Sequence, residues 1–293
     1  MGPPDAEDQA QPYVTAPEPK APLGVGTIIG ESFSILIKNI FRMILVSSVP
    51  MALFIVPIGL MLSSTGAINL EDPTANWPMV AAYTVTSLLT FCAAISLISA
   101  AVTKLTYDAK HQKTRSLREI SGPSLAAAPA IVLLGVAIGV ALLALQASMF
   151  ALGFVTPLLS FVALPAFFVI YLWSVAAFSL MPSAAVIEKK GLRSLGRSME
   201  LTKGYRLPVL GTMFLAGLCS VAVQLAFSIA TVLLTALASL VSDTLSGILS
   251  FASSLVTFGL VIGFICIVAC LVYLRLREVK EGVGIEQIEQ IFD

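Results

Sequence analysis

Long apolar stretches alternate with short polar segments along this chain and predict helices that cross a membrane. A hydrocarbon core of about 30 Å is crossed by about 20 helical residues. We expect six such spans, near residues 43–64, 79–103, 130–150, 155–180, 208–237 and 249–274. The third and fourth are separated only around Gly153 and Pro157, a break that predicts a helical hairpin.

An amphipathic segment precedes the first span, at residues 27–44. Its apolar helical face consists of Ile29, Phe33, Leu36 and Ile40. Glu31 and Lys38 lie on the opposite side. An apolar face opposed by charge predicts a helix lying in the headgroup layer of the membrane.

A second amphipathic segment, residues 191–203, precedes the fifth span. Its apolar side consists of Leu192, Leu195 and Met199, and its polar side of Lys189, Arg193, Arg197 and Glu200. This pattern favours a basic surface helix over the alternative, a solvated charged loop. Gly204 is placed to end the helix in a left-handed conformation, and Pro208 suits the first turn of the span that follows.

Short sequence matches indicate that this unit occurs three times. The tripeptide RSL at 115–117 returns at 193–195, and a proline and a valine follow each copy within the next span. The segment IGESF at 29–33 is similar to LGRSM at 195–199. These offsets fit a three-fold internal repeat in which one surface helix is followed by two spans.

The composition requires a lipid environment for so many apolar residues. Hydrophobic residues make up 57% of the 293 residues and charged residues 12%, with a mean hydropathy of +0.95. Soluble domains carry about 25% charged residues. The net charge is +0 and the pI is about 6.6, so no basic field favours a nucleic-acid partner. We therefore expect an all-α membrane protein whose main partner is the lipid bilayer.

Both ends of the chain differ from the six-helix membrane domain, which we expect at residues 23–276. Residues 1–22 contain six prolines, four acids and one lysine, a composition that predicts a disordered tail. The tail lacks the basic start and early apolar run of a signal peptide. Residues 277–293 form a C-terminal tail. After Gly284, its apolar residues recur at helical spacing and offer a face for a protein partner: Ile285, Ile288 and Phe292.

The basic residues predict how the helices are oriented. All 17 Lys and Arg residues lie in the N-terminal part, the second and fourth connections, and the C-terminal part. The connections near 65–78, 151–154 and 238–248 contain none. Basic loops stay on the cytoplasmic side. We therefore expect both termini and the surface helices in the cytoplasm, which an even number of spans also requires.

Residues that perform catalysis or hold metals are scarce. The single histidine, His111, has Asp108 three positions before it, and a lone histidine in a charged loop is usually a solvated side chain. The cysteines all lie in apolar stretches: Cys92, Cys219, Cys266 and Cys270. Buried free thiols are the common case there. We expect no disulfide, no metal, no cofactor and no enzyme activity.

A carrier is an alternative hypothesis. The predicted spans lack Asp, Glu, Lys, Arg and His, the groups that ion-coupled carriers use. Their polar candidates are Gln146, Gln224, Tyr83 and Tyr171, for which interhelical hydrogen bonds are the commoner role. The prolines that would break helices around a substrate path are Pro50, Pro57 and Pro165. The small-residue patterns GVAIG at 135–139 and GLVIG at 259–263 predict close helix packing.

Two polar segments resemble the membrane domain family associated with glycerophosphoryl diester phosphodiesterases. LGRSMELTKG at 195–204 is similar to that family's L-x-R-S-x-x-L-T-x-G segment through Leu195, Arg197, Ser198, Leu201, Thr202 and Gly204. YLRLREVKEG at 273–282 is similar to its Y-x-x-L-R-x-x-K-E-G segment through Tyr273, Leu276, Arg277, Lys280, Glu281 and Gly282. The resemblance covers residues 25–293.

The resemblance implies a multi-pass protein of the bacterial inner membrane, without catalytic residues of its own. In some relatives of that family the membrane part is fused to a phosphodiesterase domain. The family resemblance implies that such a domain depends on several histidines, and this sequence contains only one. We expect binding of anionic lipid headgroups by Lys189, Lys190, Arg193 and Arg197, each worth about 1 kcal/mol near an anionic surface. The alternatives are a purely topological role for these charges, a carrier or flippase of lipid-derived molecules, and a membrane scaffold for a separate phosphodiesterase.

Overall fold

A computed structural model describes residues 23–64, 77–112, 117–155 and 157–282. Within these ranges the chain is helical apart from short turns, and they contain no strand. The helices are α1 (Val25–Lys38), α2 (Ile40–Ser64), α3 (Trp77–Lys110), α4 (Leu117–Val155), α5 (Pro157–Phe178), α6 (Met181–Ile187), α7 (Ser194–Thr202), α8 (Arg206–Ser239) and α9 (Asp243–Glu281). The all-α membrane fold expected from the apolar stretches is confirmed.

The structure contains five to six candidate spans in the part of the chain it describes. Five are single segments: Thr84–Lys110, Ser124–Met149, Ala163–Ile187, Arg206–Ser239 and Asp243–Glu281. A sixth forms if α1 and the first part of α2, Ile40–Ala52, are counted as one bent span. The helices extend beyond the predicted stretches and include charged residues at their ends. Lys104 and Asp108, for example, form an ion pair of 2.7 Å inside α3.

The first amphipathic segment forms α1, and its predicted apolar face is largely buried. Ile29 and Leu36 belong to the main core, and the ring of Phe33 packs 4.6 Å from that of Phe264. The prediction of one helix continuing to residue 44 was wrong. Helix α1 ends at Asn39, whose backbone leaves the helical conformation (φ −119°, ψ 21°) and whose side-chain amide donates to the carbonyl of Ile35. The axis then bends by 85° into α2.

The predicted surface helix before the third span is not a separate element. From Leu117 the chain continues as one helix, α4, through Pro123 and Pro129 to Val155. Among the described residues of this segment none adopts the left-handed conformation that ends a helix, in contrast to Gly204 after α7. Among the described residues, separate short helices therefore precede the first and fifth predicted spans, as α1 and α7, and none precedes the third. Residues 115–116 of the RSL match lie outside the described ranges.

Helix α9 forms the centre of the bundle. It packs against α1, α2, α3 and α8, and half of its apolar span is buried. Its fully buried side chains include Phe264, Ile267, Tyr273 and Leu276. Helices α4 and α8 bury much less of their surface and expose rows of leucine, valine and phenylalanine. In a membrane protein such rows face lipid.

Both small-residue patterns lie at close helix contacts, as predicted. A Cβ atom on Gly259 would stand 2.9 Å from the Cβ of Ser47 in α2, and Gly263 also packs against that serine. In α4, a Cβ atom on Gly135 would stand 2.9 Å from Ser96 Oγ of α3. Only glycine permits these approaches, so α2–α9 and α3–α4 are tightly joined pairs.

The remaining intramembrane candidates do not form a polar site among the described side chains. Helix α2 runs unbroken through Pro50 and Pro57, and α5 through Pro165. Gln146 and Tyr171 are exposed on the outside of the bundle, and Gln224 is half-buried. The side chain of Tyr83 lies outside the described set. The four cysteines are free thiols, and only Cys270 is fully buried.

Candidate functional site

The candidate site lies at one end of the bundle, where α7 packs against the end of α9. The chain leaves α6, reverses direction at Lys189 (φ 53°) and Gly191 (φ 52°), makes one 3₁₀ turn over 191–193 and enters α7. Gly204 (φ 85°) ends α7 as predicted, and Pro208 lies in the first turn of α8. We refer to this end, which also carries Lys110 and Arg277, as the charged end.

Helix α7 packs against the rest of the protein through a face other than its apolar side, which the sequence predicts to face the membrane surface. Its buried residues are Ser194, Ser198, Leu201 and Thr202. Leu192 is 55% exposed, and Leu195 and Met199 are only half-buried. Serine is small enough to bring α7 close to α5, and the Ser198 hydroxyl donates to the carbonyl of Ala177 at 2.6 Å. A buried hydroxyl that finds such an acceptor costs little, so polar residues can form the inner face.

Arg197 lies at the centre of a cluster of charges, which we call the Arg197 cluster. Its Nε donates to both carboxylate oxygens of Glu188, at 3.0 and 3.1 Å. Its two terminal nitrogens donate to Glu200, at 3.4 Å, and to Glu281. The side chain is only 14% exposed. The guanidinium is therefore occupied on every side that carries donors.

Glu188 is the partner that the sequence patterns did not reveal. Besides Arg197, it accepts from Lys190 at 2.7 Å and from the hydroxyl of Tyr273. Nothing in the local pattern separates this acid from an ordinary loop residue, since its contacts come from α7 and from α9, 85 positions away. Its side chain is 9% exposed.

The electrostatics of the cluster favour the charged forms of both central groups. Burial acts to raise the pKa of Glu188, but hydrogen bonds from Lys190, Tyr273 and Arg197 outweigh it and hold that pKa below its ordinary value. Burial acts to lower the pKa of Arg197, but hydrogen bonds to Glu281 and Glu188 raise it above its ordinary value. Glu188 and Arg197 therefore form a mutually stabilised ion pair at the centre of the cluster.

The end of α9 caps α7 directly. Lys280 Nζ donates to the carbonyls of Glu200 and Lys203, both at 2.8 Å, and so satisfies acceptors that the end of α7 leaves open. Arg277 pairs with Glu281 at 3.1 Å, and Gly282 (φ 64°) ends α9. The two segments that carry the family resemblance, 195–204 and 273–282, therefore pack against each other.

The structure separates the four predicted lipid contacts into two groups. Lys189, Lys190 and Arg193 are exposed, although Lys190 shares its charge with Glu188. Arg197 faces inward, into its cluster, and is not suited to contact a headgroup. The exposed group and Leu192 form a compact surface, which we call the 189–193 turn.

His111 lies against the preceding turn of α3. The Nδ1 atom of His111 lies 2.6 Å from the carbonyl oxygen of Tyr107, and its ring packs against that tyrosine at 4.2 Å. Among the described residues, no group of three His, Cys, Asp or Glu side chains is placed to hold a metal ion. The tail at 1–22 and the predicted partner face at Ile285, Ile288 and Phe292 lie outside the described ranges.

Comparison of the chain with protein-family models, with curated proteins and with solved structures finds no match. The resemblance to the phosphodiesterase-associated membrane family stays a prediction.

Proposed function

We propose that this chain is a non-catalytic, multi-pass protein of a bacterial inner membrane that binds anionic lipid headgroups through its 189–193 turn. The observation that supports this proposal is the exposure of three cations around an exposed leucine, on a turn that the Arg197 cluster holds in place. An apolar side chain that enters the headgroup layer and cations that meet phosphates are the two contributions that bind a surface segment to a membrane.

The strength of the proposed preference for anionic lipid follows from the number of exposed cations on the turn. Each exposed cation contributes about 1 kcal/mol near an anionic surface, and the pairing of Lys190 with Glu188 reduces its share. Two to three effective charges therefore correspond to roughly a tenfold to hundredfold preference for anionic over zwitterionic lipid. The proposal places the charged end and both termini in the cytoplasm, because basic segments are retained there.

The test compares lipid retention by two purified full-length triple variants. One is Lys189→Gln, Lys190→Gln and Arg193→Gln. The control removes three exposed cations elsewhere: Lys38→Gln, Arg42→Gln and Lys203→Gln. Native mass spectrometry at limiting phosphatidylglycerol and phosphatidylcholine measures the lipids that stay bound.

We expect the turn variant to lose at least about tenfold in phosphatidylglycerol retention and the control variant to lose little. Phosphatidylcholine retention should not change in either. Equal losses in both variants would mean that the charges act only as a diffuse field, and no loss in either would refute lipid binding by the turn.

A further inference from the structure

A cavity of about 310 Å³ opens at the charged end between α1, α3 and α9. This volume lies at the lower limit of the range typical of small-molecule sites. The 189–193 turn and the central residues of the Arg197 cluster do not line it, so any role of the cavity is independent of the proposed lipid binding by that turn.

One wall of the cavity is apolar. It is formed by Leu23 and Ile28 from the start of α1 and by Leu271 and Leu274 from α9. Leu23, Ile28 and Leu271 also belong to the main core, so this wall is fixed by packing on its far side. A preformed apolar wall of this kind suits a short hydrocarbon chain.

The other wall carries charges from three helices. Lys110 of α3 pairs with Glu31 of α1 at 3.0 Å, and Arg275 of α9 pairs with Glu278 at 2.6 Å. The side chains of these two pairs are between a quarter and two-fifths exposed. Solvent-exposed pairs are weak, so an anion of higher charge can displace a carboxylate from either cation.

The balance of charge on the lining favours an anion. Arg277 also lines the cavity, but its carboxylate partner, Glu281, does not. The lining therefore contains three cations and two carboxylates, with His111 beside them. Because Nδ1 of His111 donates to a backbone carbonyl oxygen, Nε2 of the neutral ring is an acceptor, so the lysine and arginines are the donors available to an anion.

We infer that this cavity binds a phosphate monoester with an attached apolar chain. The phosphoryl group would lie between Lys110 and Arg275, which approach from different helices and match the several oxygens of a phosphate. The chain would lie along Leu23, Ile28, Leu271 and Leu274. The same chemistry is offered by a single-chain phospholipid in the membrane and by a soluble phosphate ester in the cytoplasm.

Calorimetric titration of the full-length protein in maltoside detergent tests this inference. The probe is lysophosphatidic acid with a 12-carbon chain, and monolaurin and glycerol 3-phosphate serve as its chain-only and phosphate-only parts. The variants are Lys110→Gln and Arg275→Gln, with Lys38→Gln as matched control because Lys38 lies on α1 outside the lining. Leu274→Trp fills the cavity without removing a charge.

We expect one saturable site for lysophosphatidic acid in the native protein. Lys110→Gln and Arg275→Gln should each weaken binding at least about tenfold, as expected for loss of a charge-assisted hydrogen bond, and Lys38→Gln should leave it unchanged. Leu274→Trp should abolish binding, and thermal unfolding should show that this variant is folded. Because it leaves every charge in place, it tests the cavity even if a charge variant is unstable.

The two partial probes decide the source of the ligand. If glycerol 3-phosphate displaces lysophosphatidic acid at a similar concentration, the site is assigned to a soluble phosphate ester. If it does not, the site is assigned to a membrane lipid. Binding of monolaurin as tight as that of lysophosphatidic acid would overturn the inference, as would equal binding by the Lys110, Arg275 and Lys38 variants or no binding at all. Since none of these variants alters the 189–193 turn, failure here leaves the phosphatidylglycerol test unaffected.

Discussion

The guanidinium of Arg197 meets carboxylates from three places along the chain: Glu188 before α7, Glu200 within it and Glu281 at the end of α9. On a helical projection the same arginine belongs to a basic stripe with Arg193, which is why the sequence predicts lipid contact for both. The contact with Glu281 spans 84 positions, and no local pattern reports such a contact. The sequence therefore predicts where the charges lie along the chain but not which of them face inward.

The inward position of Arg197 predicts a large effect on stability. Arg197→Gln should lower the free energy of unfolding by about 3 kcal/mol, because it leaves the nearly buried Glu188 carboxylate with one cation fewer. Arg193→Gln is the matched control, since Arg193 is exposed. It should change the free energy of unfolding by no more than about 0.5 kcal/mol. Thermal unfolding of both variants in detergent measures the difference.

Equal unfolding temperatures for the two arginine variants would contradict the placement of Arg197. A further check is Arg197→Lys, which keeps the charge but has no planar fork to hold two carboxylates at once. The unfolding temperature of Arg197→Lys should lie between those of the native protein and Arg197→Gln.

At the scale of the helices, hydropathy predicts the spans well and their ends poorly. The apolar stretches decide the spans because burial in lipid depends on composition over about 20 residues. The ends depend on single contacts. Asn39 stops α1 where the apolar pattern continues, and α4 continues through prolines where a break was expected. Pro123 and Pro129 lie in the interior of α4, so each removes one backbone hydrogen bond, but the helix continues on both sides of them.

The glycine contacts between helices predict the effect of adding one methyl group. In Gly259→Ala the new Cβ would stand 2.9 Å from the Cβ of Ser47, so α2 and α9 must move apart. We expect a loss of about 1–3 kcal/mol in stability. Gly247 lies on the same helix with nothing within 4 Å of a new Cβ, and Gly247→Ala should be neutral or stabilise by up to about 1 kcal/mol.

Thermal unfolding of these two alanine variants, measured in the same detergent, is the relevant comparison. Similar changes in both would mean that α2 and α9 are not in close contact at this point. Combining Gly259→Ala with Ser47→Gly, which removes the opposing Cβ, should restore part of the loss.

At the scale of the whole molecule, ion pairs and the lining of one cavity connect the charged groups of α1, α3, α7 and α9 at one end. The turn between α8 and α9, at the opposite end of these helices, has no Lys or Arg and exposes Leu240 and Val241. The sequence predicts this separation because it depends only on charge counts in the connections. The cavity and the Arg197 cluster could not be predicted, since each combines residues from helices far apart in the chain.

This asymmetry predicts a fixed orientation in the cell. In a variant with the four native cysteines replaced by alanine, the cysteine introduced by Lys190→Cys should react with a membrane-impermeant maleimide only after the cells are lysed. The cysteine introduced by Val241→Cys should react in intact cells, because basic segments are generally retained in the cytoplasm and the α8–α9 turn lies at the other end. The reverse labelling pattern would refute the proposed orientation, and labelling of both positions in intact cells would refute a fixed one.

Helix α9 is longer than a bilayer needs. Residues 244–274 carry no charged side chain and extend over about 46 Å, against about 30 Å of hydrocarbon. The half of this stretch nearer the turn with α8 contains Ser253, Ser254 and Thr257, which donate their hydroxyls to the helix's own carbonyls. These residues tolerate either lipid or the headgroup layer, because their polar groups are already satisfied. A change in membrane thickness can therefore be met by tilt of this helix and by shifting its serine-rich part between the two layers, without drawing any charge into the hydrocarbon.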